Sequence, residues 1–340
     1  MKRRGAARAL RLTVAGLLSV APLCADTHLL VVAGVGGEEA YTGRFHLWST
    51  RVVDAAIAGG LARENVVYLG EREDFDPERI NGRSIGENVL AEIAALAERS
   101  SAGDDVWIIL FGHGSGAAGP PRFNLPGRDL VADEYAAALE QLAGRHVVFI
   151  NASSASGGFI GPLSKEGRVV ITATKSGGQS NESLFGGFLA EAFDGDAGDA
   201  NKDGRTSALE AFAFAQREIE RYYRQTGLLR TENALLDDDG DGMGSPEPVG
   251  VEASEATDGR LASLLYLGQE AQPSTLTAEA RELADRRAGI QRRIDELRLQ
   301  RETLDEEVYL SELQELMVEL ALVDRELEEE AAAGDEEPEP

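Results

Sequence analysis

Two short apolar runs, Val106 to Phe111 and His146 to Ile150, constrain this chain more than any other feature. Both are continuous, β-branched or aromatic, and separated by a helical pattern, which describes neighbouring parallel strands buried on both faces. Such strands open their carboxyl ends onto one shared edge, where ligands bind in open α/β sheets. The first run ends in Gly112-His113-Gly114-Ser115 and the second in Asn151-Ala152-Ser153-Ser154-Ala155-Ser156-Gly157-Gly158, so His113 and a serine cluster are expected to face each other at that edge.

The rest of residues 28 to 193 follows the same rhythm. Strands are expected at Leu29 to Ala33, Val66 to Leu69 and Val169 to Thr172, with helices near Phe45 to Leu61, Ile85 to Glu98, Val131 to Leu142 and Ser183 to Phe193. Alternating strand and helix predicts an α/β domain with an open, doubly wound sheet of five or six parallel strands and flanking helices. The glycine-rich Gly34-Val35-Gly36-Gly37 after the first strand lacks a Lys-Ser/Thr ending and completes no nucleotide fingerprint, which argues against phosphate binding. Arg44 follows it near the same edge, placed either to meet a substrate carboxylate or simply at the surface.

The two strand endings resemble those of the caspase and legumain clan of cysteine peptidases, in which His-Gly follows one strand and a small residue, Cys, any residue and Ser-Gly follow the next. Ile171-Thr172-Ala173-Thr174 followed by Asn181-Glu182-Ser183 is similar to the legumain-type stretch beyond the nucleophile strand, and the resemblance covers about half the chain. It implies a caspase-like fold, His113 managing protons, Gly114 stabilising the oxyanion, and Lys175 and Glu182 in the substrate pocket. The expected cysteine is a serine: aligning on Ser156-Gly157 gives Ser154, aligning on Asn151-Ala152 gives Ser153. A serine hydroxyl is far less acidic than a thiol and needs a well-oriented base, usually fixed by a carboxylate. None adjoins the motif. The expectation is a non-catalytic or impaired homologue that recognises a polypeptide. The alternatives are an active Ser/His peptidase or esterase using Ser154 or Ser153 with His113, and a structural envelope protein.

The amino terminus, Met1-Lys2-Arg3-Arg4 followed by an apolar stretch from Leu10 to Leu23, reads as a signal peptide of residues 1–25, so the protein is expected to be secreted or periplasmic. Acylation at Cys24 is the alternative, disfavoured by Ala21-Pro22-Leu23, and Pro22 and the short span argue against a membrane helix. Cleavage near Ala25 removes the sole cysteine, leaving no thiol for disulfide, nucleophile or metal. Net charge is −27, and losing a leader that is basic and free of acid makes the chain more acidic still. Such a surface disfavours nucleic acid and anionic lipid and suits divalent cations.

Beyond the α/β domain (26–195) an extension is expected over 196–272. Within it, Asp199 to Glu210 fits the EF-hand loop template, with ligands Asp199, Asn201, Asp203, Arg205 and Glu210 and Gly204 at the sharp turn, and a helix from Ala208 to Tyr223 follows. The expected ion is Ca²⁺. A second run, Asp237, Asp239, Asp241 and Gly242, begins the same template but has Pro248 where the bidentate glutamate belongs, and reads as an incomplete cation site or a solvated acidic turn. From 273 to 330, apolar residues at Leu283, Ile290, Ile294, Leu297, Leu304 and Val308 keep coiled-coil spacing, with Arg287 and Arg301 in the seam. The seam then shifts to Tyr309, Leu313, Leu316, Leu320, Val323 and Leu327, so one interrupted helix or a hairpin turning near Glu306 to Ser311 is expected, available for self-association. Residues 331–340 are expected to be disordered.

Overall fold

The computed structural model describes residues 26–179, 182–250, 258–268, 278–299, 301 and 304–334. The expected leader, Cys24, Asn181 and the last six residues lie outside them. The chain opens with β1 (Thr27–Ala33), α1 (Glu39–Ala58), β2 (Val66–Gly70), β3 (Gly82–Arg83), α2 (Gly86–Arg99) and β4 (Asp105–Phe111). Three two-residue strands follow, β5 (Gly114–Ser115), β6 (Arg122–Phe123) and β7 (Leu130–Val131), then α3 (Ala132–Leu139), β8 (His146–Asn151), α4 (Ile160–Leu163), β9 (Arg168–Thr172) and α5 (Phe185–Phe193). The chain continues through α6 (Ala208–Thr226) and β10 (Leu235–Asp237) to α7 (Ala278–Leu299) and α8 (Glu306–Gly334).

The main sheet has seven strands in the order β10-β9-β8-β4-β1-β2-β3. All neighbours pair in parallel except β10, which runs antiparallel to β9 with Leu236 opposite Ile171. Alternation along the buried strands splits the core in two. Leu29, Val31, Trp107, Ile109, Val148 and Ile150 pack with residues of α1, α5 and α6 on one face. Leu30, Val32, Ile108, Leu110, Val147 and Phe149 pack with α2, α3 and α4 on the other. Full burial of each such side chain stabilises by about 1.5–3 kcal/mol relative to exposure, which accounts for strands with no polar face.

Several boundaries depart from the sequence expectation. Helix α1 begins at Glu39 rather than near Phe45, because its first turn is mostly solvated and carries no apolar period. The helix expected to reach Leu142 ends at Leu139 in a tighter turn over Glu140–Leu142. The small β5-β6-β7 sheet and strand β10 have two or three residues each, too few for any periodic signal. Helix α8 continues to Gly334, inside the tail expected to be disordered.

The seam shift in the C-terminal region corresponds to the hairpin rather than to one interrupted helix, but α7 ends at Leu299 and α8 already begins at Glu306, so the turn precedes residues 306–311 instead of lying within them. Ile290, Ile294, Leu297, Leu316 and Val323 form their shared core, and Arg287 reaches Asp324 at 2.8 Å while Arg293 reaches Glu319. These pairings make α7 and α8 antiparallel. Val308, expected in the seam, is exposed. Among the described residues no helix is long and apolar enough to cross a membrane.

Glu232, between α6 and β10, braces the start of α5. Its buried carboxylate accepts from Ser183 Oγ (2.7 Å), Leu184 N–H (3.0 Å) and Phe185 N–H (3.2 Å), satisfying donors that a helix start leaves unpaired. Burial pushes its carboxyl above the ordinary value, partly offset by those bonds. Glu232→Ala is expected to lose about 2–3 kcal/mol, measured as a lowered denaturant midpoint with unchanged slope, and Glu232→Gln less.

Candidate functional site

The carboxyl ends of β4 and β8 meet at Gly114. A Cβ there would lie 2.3 Å from Ser154 O and 2.6 Å from Ser153 Oγ, so only glycine permits this approach. Gly114 N–H, expected to serve an oxyanion, donates to Ser154 Oγ at 3.3 Å, and Ser154 Oγ lies 3.4 Å from Gly114 O. Ser153 is fully buried and its hydroxyl donates to Asn151 Oδ1 at 2.6 Å. Among the described residues neither hydroxyl is hydrogen-bonded to His113.

The turn after these serines is held from below. Ala155 adopts a left-handed conformation (φ 54°), at a cost of about 1–2 kcal/mol for a residue with a Cβ, and its N–H donates to Gln179 O at 2.8 Å. Ser156 Oγ, also buried, accepts from Ala173 N–H at 3.1 Å and Thr174 N–H at 3.3 Å. Ser156 therefore ties the end of β8 to the end of β9.

His113 is half-buried in an aromatic corner, edge-on to Tyr41 (4.7 Å between ring centroids) and Phe45 (5.0 Å). Its ring bonds the backbone of Gly36, and no carboxylate pairs with it among the described residues; the histidine–carboxylate pairs belong to His28, His46 and His146. Desolvation holds the imidazole below its ordinary value, with Arg44 adding repulsion and the Gly36 bond acting in opposition.

Glu71, which sequence reasoning missed, accepts from Gly36 N–H at 3.2 Å and Thr42 Oγ1 at 2.7 Å. It thus fixes the loop that bonds His113. Its only signal in the sequence is its position directly after β2, at the same sheet edge.

Arg44 and Glu182 are brought together as an ion pair, and Tyr41 Oη donates to Glu182 at 3.2 Å while the Arg44 guanidinium sits over the Tyr41 ring at 5.2 Å. Tyr41 links this pair to His113. Lys175 stands apart, exposed in the loop after β9, with its N–H bound to Gln179 Oε1.

The Asp199–Glu210 segment closes on itself. Asp199 accepts the amides of Lys202 (2.7 Å), Asp203 (3.2 Å) and Gly204 (3.0 Å), while Asp203 accepts that of Arg205. Glu210 accepts from Ala200 and Asn201 N–H and forms a reciprocal cap with Ser207 at the start of α6. A cavity of about 460 Å³ opens beside it, lined by Asp203, Arg205, Tyr266 and residues of α7. The carboxylates that converge most tightly among the described residues are those of the second acidic run: oxygens of Asp237, Asp239 and Asp241 lie within 4.8 Å of one another.

No protein-family profile and no curated protein matches the chain. Among solved structures, protein GSU0716 from Geobacter sulfurreducens is similar, at 14% identity and a TM-score of 0.43, over 65% of this chain and 97% of that one.

The environment of His113 sets its pH behaviour. A folded-state value below 6.5 means that the unfolded chain binds the proton first, so this group's contribution to stability is intact above 6.5 and is lost as pH falls through the lower folded value. The ring's NMR titration is expected to centre below 6.5, and Arg44→Ala is expected to raise that midpoint by removing a repelling charge.

Proposed function

We propose that this chain is an exported, non-hydrolysing homologue of the caspase/legumain clan, which recognises a polypeptide at the carboxyl edge of its sheet and carries a calcium-binding extension. The observation that carries the reading is the commitment of both hydroxyls at the nucleophile position: Ser153 to Asn151, Ser154 to the Gly114 backbone. A serine nucleophile requires a base within hydrogen-bond reach, itself oriented by a third group. His113 bonds neither serine, and its orienting partner is a backbone group rather than a carboxylate.

Recognition is supported by what the edge retains. Arg44, Glu182 and Tyr41 form a half-exposed polar wall next to a desolvated imidazole, with Glu71 holding the adjoining Gly36 loop. Arginine and glutamate side by side offer a forked donor and an acceptor, which suits main-chain amides and charged side chains of an extended peptide. The competing Ser/His hydrolase reading is favoured by one contact, the Gly114 amide beside Ser154, where an oxyanion donor would be wanted.

A fluorophosphonate probe separates them. The folded, calcium-loaded protein is expected to remain unlabelled, and His113→Ala, Ser153→Ala and Ser154→Ala are expected to change nothing. Labelling of the wild type that disappears in His113→Ala and one serine variant would establish an activated pair.

For the extension, the template match from Asp199 to Glu210 and the return of Glu210 to the amides of Ala200 and Asn201 support a calcium loop. Calcium would draw Glu210 away from its cap on Ser207, exchanging those bonds for ligation and bracing α6. With a dissociation constant of about 10⁻⁴ to 10⁻³ M, as in extracellular modules, 10 mM Ca²⁺ is expected to add about 1.4–2.7 kcal/mol of stability, read as a rise in Tm that chelator reverses.

A further inference from the structure

The second acidic run repeats the backbone of the first. At its fourth and sixth positions Gly240 and Gly242 are left-handed (φ 82° and 78°), as Lys202 and Gly204 are in the Asp199 loop (φ 64° and 84°). The internal bonds repeat as well: Asp241 N–H donates to Asp239 Oδ1 as Asp203 N–H does to Asn201 Oδ1, and Met243 N–H donates to Asp241 Oδ1 as Arg205 N–H does to Asp203 Oδ1.

The first residue differs. Asp199 spends both carboxylate oxygens on loop amides. Asp237 is fully buried, accepts from Ser164 Oγ–H at Oδ1 (2.8 Å), and has no hydrogen-bond partner at Oδ2. An unpaired buried carboxylate oxygen costs several kcal/mol unless something compensates it. Ser164 and the Gly242 amide favour the charged carboxylate, but no hydrogen bond reaches Oδ2, and the neighbouring groups are two further carboxylates, Asp239 and Asp241, with one oxygen of each of the three within 4.8 Å of the others. Three like charges at that spacing repel, and a bound cation reverses the sign of the interaction.

Asp238, between them, faces elsewhere. Its two oxygens accept Gly259 and Ala262 amides at 2.7 and 2.8 Å, and its own N–H donates to Asp258. Asp238 is thus taken up by the 258–262 segment and does not join the cluster of Asp237, Asp239 and Asp241.

We propose that Asp237, Asp239 and Asp241 form a second, independent site for a hard divalent cation, which fastens the edge strand β10 to the turn between α4 and β9. Ser164 in that turn donates to Asp237 and accepts Gly242 N–H at 2.9 Å, and a Cβ on Gly240 would lie 2.9 Å from Glu166 N, so the acidic turn already rests on residues 164–166. The glutamate of the full template is replaced by Pro248, so water completes the shell. The site does not rest on the Asp199 loop or on the reading of the strand-end edge.

Calorimetric titration of the chelator-treated full chain with Ca²⁺, and separately with Mg²⁺, tests it on wild type, Asp237→Asn, Asp239→Ala/Asp241→Ala and Glu210→Gln. The double variant alters only exposed side chains, and Asp237→Asn keeps the acceptor for Ser164. Two ions are expected in the wild type, one fewer in the Asp237 and Asp239/Asp241 variants, and one fewer by a separate loss in Glu210→Gln. One ion in the wild type, kept in Glu210→Gln and lost in the others, supports this site and removes the Asp199 loop from the account. Undiminished stoichiometry in Asp237→Asn and Asp239→Ala/Asp241→Ala, or no uptake of either ion by the wild type, overturns it.

Discussion

The candidate site depends on one close approach, that of the Gly114 backbone to the turn carrying Ser153 and Ser154. Parallel pairing of β4 with β8 brings the two strand ends to the same level, and the absence of a side chain at 114 lets them touch. Once they touch, the Gly114 amide meets the Ser154 hydroxyl and Asn151 Oδ1 takes that of Ser153, while Asn151 Nδ2 stays buried without a hydrogen-bond partner. Buried polar groups are mostly paired, and here the serine hydroxyls take partners from their own strand ends. In this arrangement neither serine hydroxyl is hydrogen-bonded to His113.

Other side chains at the same edge are positioned indirectly. Glu71 acts on His113 through the Gly36 loop instead of directly, and Tyr41 connects the imidazole to the Arg44–Glu182 pair. Glu232 anchors the beginning of α5, a few residues beyond Glu182, so the polar wall is coupled to the core by a buried carboxylate. At the opposite edge of β9, the short antiparallel β10 delivers the acidic turn to the Ser164 loop.

What could be read in advance follows from this. Strands buried on both faces announce themselves as unbroken apolar runs, so the parallel sheet and the edge holding His113 and the serines were legible, whereas the pairing of Arg44 with Glu182, each expected at most to face a substrate, was not. The partners of the hydroxyls were not legible either, because they are set by the close approach of Gly114 to the turn carrying Ser153 and Ser154. Glu71 carries no local pattern; its importance lies in a loop thirty-five residues upstream in sequence. Strand β10 was hidden by its length and by the acidic run it opens, whose likeness to a cation loop was legible while the orphaned oxygen of Asp237 was not. The seam shift in the C-terminal region was visible, but its resolution into two antiparallel helices depended on which side chains, Arg287 with Asp324 among them, could meet.

The central claim is that Ser154 and His113 are not a hydrogen-bonded pair. The ¹⁵N chemical shifts of the His113 ring, followed through its titration in wild type and Ser154→Ala, test this directly. The account predicts the same tautomer and the same midpoint in both proteins, since the hydroxyl is held by Gly114. A displaced midpoint or an exchanged tautomer on removing the hydroxyl would show the two groups coupled, and would contradict it.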